Sequence, residues 1–217
     1  LLHLSALLLR VGRATDALVP ADEARTRHPT NPRGWIAVGR AAVALGRTTE
    51  AEDALRKAIG LGAVAEGSLE LAKILHSLGR NEDALAVLGK FEAPDAEASL
   101  LRSDIHEALG RMEEALADCD AAIRTAVEGR DLAYRRKGVL LLALQRSKEA
   151  LAAFDAALGL NPTDAEAWLD AARAWKVLGQ GTRARKMLDH ALRLDPEHAE
   201  ARRLRSEKAL LDLFSSF

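Results

Sequence analysis

Six histidines, His3, His28, His76, His106, His190 and His198, are the first residues to test for chemistry. None stands in an HExxH or similar close pairing that would aim two imidazoles at one metal ion. His76 with Glu107 is the pairing whose types suit proton transfer, and a solvated surface histidine accounts for His76 equally well. The single cysteine, Cys119, excludes an internal disulfide and any CxxC metal site. P-loop, GxGxxG and catalytic-serine motifs are absent. The residues therefore predict no catalytic centre, no metal and no cofactor.

Composition narrows the partners. The chain has 217 residues, 48% of them hydrophobic and 29% charged, which describes a folded globular chain. Its 31 basic and 32 acidic residues nearly cancel, whereas duplex nucleic acid calls for a concentrated basic face. The opening LLHLSALLLRVG is too short to span a bilayer and lacks the flanks of a leader. It is expected to form an ordinary buried helix. With one cysteine and no apolar span, the expected setting is cytoplasmic, away from membranes.

Such residues must be positioned by something regular, and the chain repeats. VGR stands at 11–13, LGR at 45–47, 78–80 and 109–111, LQR at 144–146 and LGQ at 178–180. The steps between the central residues are 34, 33, 31, 35 and 34. A near-constant period of this length marks a repeat architecture. Five residues after each step comes Ala17, Ala51, Ala84, Ala115, Ala150 and Ala184. Nine after it comes Ala21, Leu55, Leu88, Cys119, Phe154 and Leu188. Twelve after it comes Ala24, Ala58, Phe91, Ala122, Ala157 and Ala191. These offsets keep one face of a helix. The stretch ahead of each step is helical too: Trp168, Ala171, Ala172 and Trp175 fall at i, i+3, i+4 and i+7. The glycine turns the corner of a hairpin and the alanines let its two helices approach. Pro29, Pro162 and Pro196 close units behind the second helix.

These columns closely resemble the tetratricopeptide repeat, a 34-residue helix–turn–helix. Residues 167–196 and 131–164 carry the pattern nearly complete. The resemblance implies an all-α, right-handed solenoid of six repeats (1–31, 32–64, 65–95, 96–130, 131–164 and 165–198) with a C-terminal capping helix over 199–217. The first unit has lost the start of its first helix. Units three and four depart from the pattern, with Ser68 and Ser99 at the usual aromatic position. The 31-residue step should shorten the helix after Gly79 or its connection. His106 takes the tyrosine position and Cys119 the phenylalanine position, so packing is expected of both. Leu210, Leu211, Leu213 and Phe214 are surplus apolar residues, either packed down or offered to a partner.

The resemblance also implies a concave groove lined by the first helices. Repeat positions 2, 5, 9 and 12 share one helix face and supply, with their neighbours, Arg33, Ile36, Arg40, Leu69, Glu70, Lys73, His76, Leu100, Asp104, Glu107, Arg135, Arg136, Val139, Leu169, Arg173 and Lys176. Apolar residues interleaved with charge suit a ligand face better than a solvated wall. Six of the eight aromatics fall on packing columns, which leaves little for stacking nucleic-acid bases. The family's lysine/asparagine/arginine clamp for acidic C-terminal peptides is not matched, because no three consecutive units supply its asparagines. The expected function is a non-catalytic scaffold that binds a peptide or protein segment. Three other readings stay open: the substrate-recognition region of a larger enzyme, glycosyltransferase-like, whose catalytic domain lies outside this chain; a homo-oligomeric self-assembly module working through exposed chain ends; and RNA reading by a helical repeat code, which charge and aromatic placement speak against.

Overall fold

The computed structural model describes residues 1–89 and 95–214, with side chains described through Ser206. Among these residues all regular structure is helical, and the fold is an all-α solenoid of hairpins. The chain divides into two compact units, residues 1–94 and 95–217. The first holds α1 (Leu2–Arg10), α2 (Ala14–Arg27), α3 (Pro32–Ala44), α4 (Thr48–Gly60), α5 (Val64–Ser77) and α6 (Asn81–Leu88). The second holds α7 (Ala96–Ala108), α8 (Met112–Thr125), α9 (Arg130–Ala143), α10 (Ser147–Leu160), α11 (Ala165–Val177), α12 (Gly181–Leu194) and α13 (Ala199–Phe214). Odd-numbered helices are first helices of hairpins and even-numbered ones are second helices. Leu210, Leu211, Leu213 and Phe214, together with Phe91, lie outside the described side chains.

The repeated tripeptide is a helix C-cap. At the corner of α3 and α4, the Gly46 N–H donates to Val43 O at 2.9 Å and the Arg47 N–H reaches back to Ala42 O at 2.9 Å. These two hydrogen bonds satisfy carbonyls that the helix end would otherwise orphan, and they require a left-handed residue at the second position. Gly46 has φ +70°, and the other corners repeat the geometry. The fifth corner imposes it on a side-chain-bearing residue, Gln145, at φ +60°. First helices start on side-chain caps where the sequence provides them: Asn31, Asp95 and Asp164 each accept a backbone N–H of the first turn.

Packing follows the columns. Ala17, Ala51, Ala84, Ala115 and Ala150 are 0% exposed and Ala184 is 5% exposed, where paired helices meet. Each second helix also covers the next first helix within its unit. Val38 of α3 packs with Leu18 and Ala21 of α2, while Ala171 and Ala174 of α11 share a core with Leu151 and Phe154 of α10. The aromatic column seals the joints between units of the pattern. The Trp35 indole N–H donates to Pro29 O at 2.8 Å and that of Trp168 to Pro162 O at 2.9 Å.

Two departures have local causes. The 31-residue step shortens the second helix: α6 has 8 residues where the other second helices have 13 or 14. The opening segment is a helix, but not a buried one. Leu4 and Leu7 of α1 are 52% and 57% exposed, whereas Val38 and Ala41, at the same repeat positions in α3, are 5% and 0% exposed. The difference is the second helix that precedes α3. At the other end, α13 packs on α12 as a capping helix does, with Ala201 fully buried beside Leu169 and Leu188.

Candidate functional site

In the first unit, the first-helix face is built by α1, α3 and α5. A cavity of about 340 Å³ is lined by Leu2, Ala6 and Leu9 of α1, Arg33, Ile36, Ala37 and Arg40 of α3, and Glu66 of α5. A second, of about 460 Å³, is lined by Leu9, Arg40, Val43, Glu70, Lys73 and Ile74. The two adjoin at Leu9 and Arg40, so Arg33, Ile36, Arg40, Glu70 and Lys73 from the sequence-derived set line a pair of neighbouring depressions. Ile36 forms the floor of the first at 2% exposure. Leu69 is half-buried. His76 turns elsewhere, with Nδ1 2.7 Å from Asn81 Oδ1.

Arg40 lines both depressions. Its guanidinium donates to Glu70 Oε1 at 2.8 Å and lies 3.1 Å from a Glu66 carboxylate oxygen. Burial works against the charge, but Glu70 and Glu66 hold the Arg40 pKa above its ordinary value. The second unit repeats the device. Arg136 of α9 reaches back to Glu107 at 2.5 Å and Asp104 at 2.7 Å on α7. Arg173 of α11 spans Asp170 on its own helix and Glu200 on α13, at 2.5 Å each. Arg135 lies 3.7 Å from Asp164 and 4.0 Å from Glu166, a looser arrangement. Leu100 and Val139 are half-buried, Lys176 is exposed, and Leu169 is 0% exposed under α13. Leu169 therefore works as packing and presents no surface.

The ion pairs between successive first helices are what the column-by-column reading of charge did not bring out. The signal was present: Arg40 and Glu70, Glu107 and Arg136, and Arg173 and Glu200 stand 30, 29 and 27 residues apart, close to one repeat. Opposite charges at that spacing on adjacent parallel first helices face one another.

The remaining candidates for chemistry are accounted for by packing. His106 Nδ1 is 2.7 Å from Asp118 Oδ2, and Asp118, 6% exposed, also accepts from Arg102 at 2.6 and 2.9 Å. Cys119 is 0% exposed with Ser103 Oγ 3.2 Å away, and burial pushes its thiol pKa up, away from the reactive thiolate. Among the described residues no group of three or more His, Cys, Asp or Glu is placed to hold a metal ion, and no helix is long and apolar enough to cross a membrane.

Two tetratricopeptide repeat profiles match the chain, one over residues 4–66, 39–94 and 69–130 and the other over 141–207. Comparison with curated proteins gives no match. Similar solved structures include PilW, a widely conserved type IV pilus biogenesis factor, at 16% identity over 92% of this chain and 93% of that one, with a TM-score of 0.77. PilF of Pseudomonas aeruginosa is similar at 16% identity over 95% of each chain, with a TM-score of 0.75. YrrB, described as a TPR protein with an unusual peptide-binding site, is similar at 18% identity over 87% of this chain and 97% of that one, with a TM-score of 0.65. At these identities the likeness is one of fold.

Proposed function

The chain belongs to the tetratricopeptide repeat family, and from that premise we propose that it is a non-catalytic scaffold whose first-helix face holds a peptide or a segment of another protein. The observation that carries this reading is the pair of adjoining depressions in the first unit. Apolar walls from Leu2, Leu9, Val43 and Ile74 flank a polar crossing made by Arg40, Glu66 and Glu70. Apolar contact would supply affinity, and the fixed order of charge would set register. The second unit has a first-helix face of its own, where Arg135, Arg136 and Arg173 offer polar contacts of the same kind. The similarity to YrrB supports the class of ligand, since that protein is described as having a peptide-binding site.

The test begins with a pull-down by the intact chain, followed by peptide mapping of what is retained. Arg40→Ala and Arg135→Ala should then weaken binding of the mapped segment and reduce its salt dependence while the helical content stays unchanged. Retention of full affinity by both variants overturns the reading. So does a footprint of the segment that avoids α1, α3 and α5.

A further inference from the structure

A second surface departs from the repeat pattern, and the departure has a direction. In most corners the arginine before the second helix pairs with an acid three residues on. Arg13 meets Asp16 at 2.7 Å, Arg47 meets Glu50 at 3.4 Å, Arg80 meets Asp83 at 2.8 Å and Arg146 meets Glu149 at 2.7 Å. The last corner reverses this: Gln180 replaces the arginine and Arg183 replaces the acid. The first turns of α2, α4, α6, α8 and α10 all carry an acid, and that of α12 carries none. The positive end of α12 is thus left without its usual complement.

Arg183 lines a cleft. A cavity of about 530 Å³ lies between α10 and the α11–α12 corner, floored by Leu151, Trp175 and Leu178 and rimmed by Lys148, Asp155 and Arg183. The Arg183 guanidinium lies over the Trp175 ring, 4.6 Å from its centroid. Neither Lys148 nor Arg183 meets a carboxylate among the described residues, in contrast to Arg40, Arg136 and Arg173 on the first-helix face.

From this juxtaposition of a half-buried tryptophan with a reversed rim charge, two cations against one acid, we infer that the cleft is a docking site for an acidic segment of a partner protein that carries an aromatic or aliphatic side chain. The side chain would lie beside Leu151 and Leu178, against the part of Trp175 that Arg183 leaves uncovered, and tryptophan is the kind of residue that dominates binding energy at protein interfaces. The flanking carboxylates would meet Arg183 and Lys148. Asp155 favours a polypeptide over nucleic acid. It can accept a backbone N–H from a peptide, whereas it repels a continuous run of phosphates. The site is separate from the first-helix face, so neither proposal depends on the other.

The probe is a fluorescein-labelled peptide of aspartate and glutamate with one central phenylalanine, titrated into the intact chain and read by anisotropy. The informative variant combines Gln180→Arg with Arg183→Glu, which restores the corner pair found elsewhere in the chain and so is expected to fold. The dissociation constant should rise about tenfold or more in this variant, and similarly when serine replaces the phenylalanine of the peptide. Arg40→Ala should leave it unchanged. Equal affinity for the double variant overturns the inference, as does absence of binding at about 1 mM peptide. Loss of binding with Arg40→Ala instead would assign the peptide to the first-helix face. A single-stranded DNA oligonucleotide that binds with the same Arg183 dependence would overturn the commitment to a protein partner.

Discussion

Gly138 and Phe154 fit so closely that a methyl group built on Gly138 would stand 2.4 Å from Phe154 Cε1. Phe154 is 0% exposed in the core of the second unit, so its ring has nowhere to retreat. Gly138→Ala should therefore cost roughly 1–3 kcal/mol through overpacking. Gly159, inside α10, faces open space. Gly159→Ala should instead gain about 0.5–1 kcal/mol from helix propensity. Urea unfolding of the two variants checks the fit, and shifts of equal sign would contradict it.

Gln145 holds the left-handed conformation that glycine holds at the other repeated corners. A side chain in that region costs roughly 1–2 kcal/mol, partly offset by the lower entropy of the unfolded glutamine. Gln145→Gly is expected to raise the unfolding free energy by a net amount of about 0.5–1 kcal/mol and the midpoint with it. A lower midpoint would mean that the Gln145 side chain contributes contacts worth more than the strain.

Ser68 and Ser99 are 0% exposed, and neither hydroxyl has a hydrogen-bond partner among the described residues. Ser68→Ala removes an unsatisfied polar group at little cost in volume and should gain about 1 kcal/mol. The same two residues forgo the apolar burial that a large side chain supplies, about 1.5–3 kcal/mol each, and α6 is short. Amide hydrogen exchange should consequently be faster across 65–89 and 95–112 than across 131–196. Uniform protection would refute this.

Ala150 and Ala184 sit where paired helices touch, at 0% and 5% exposure. Leucine at either position inserts volume between backbones and should lower stability by roughly 1–3 kcal/mol. An unchanged melting temperature would put the hairpin contact somewhere else.

Repeat spacing made the hairpins legible because a C-cap with a left-handed residue and a small-residue crossing each tolerate few residue types. The candidate site was legible only in part. Ile36 and Leu169 hold groove positions in the sequence, yet both are buried, because position 5 lies close to the neighbouring first helix. Charge was harder still. Arg40 reads as a free cation within its own repeat, and its partners Glu66 and Glu70 appear only when adjacent repeats are laid side by side. Arg183 shows the converse: it looks like one more surface arginine until its corner is compared with the others.

The two carboxylates around Arg173 should impose opposite pH dependences. Burial pushes the Asp170 carboxyl above its ordinary value. The folded state then binds that proton more tightly, and stability linked to Asp170 declines as pH rises through the raised value. Glu200 is held below its ordinary value by the hydrogen bond from Arg173. Its contribution is present above the ordinary carboxylate range and is lost as pH falls through the depressed value. In thermal melts from about pH 3 to 8, Asp170→Asn should flatten the decline that begins above the ordinary carboxylate value and Glu200→Gln the loss below it. A variant with an unaltered profile would remove its residue from the linkage.

Pairing of Arg40, Arg136 and Arg173 with carboxylates on neighbouring first helices also bears on how fast a partner arrives. Opposite charges less than 3 Å apart largely cancel at a distance of one Debye length, about 8–10 Å in physiological salt. In the first unit Arg33, Arg40 and Lys73 stand with Glu66 and Glu70, so that first-helix face comes close to charge balance, projects little field into solution and steers an approaching ligand only weakly. Its association rate constant should lie near the unsteered value of about 10⁵–10⁶ M⁻¹s⁻¹ and vary little with ionic strength. Discrimination comes after contact, when a ligand carboxylate competes with Glu70 for Arg40, and so it resides in the lifetime of the complex.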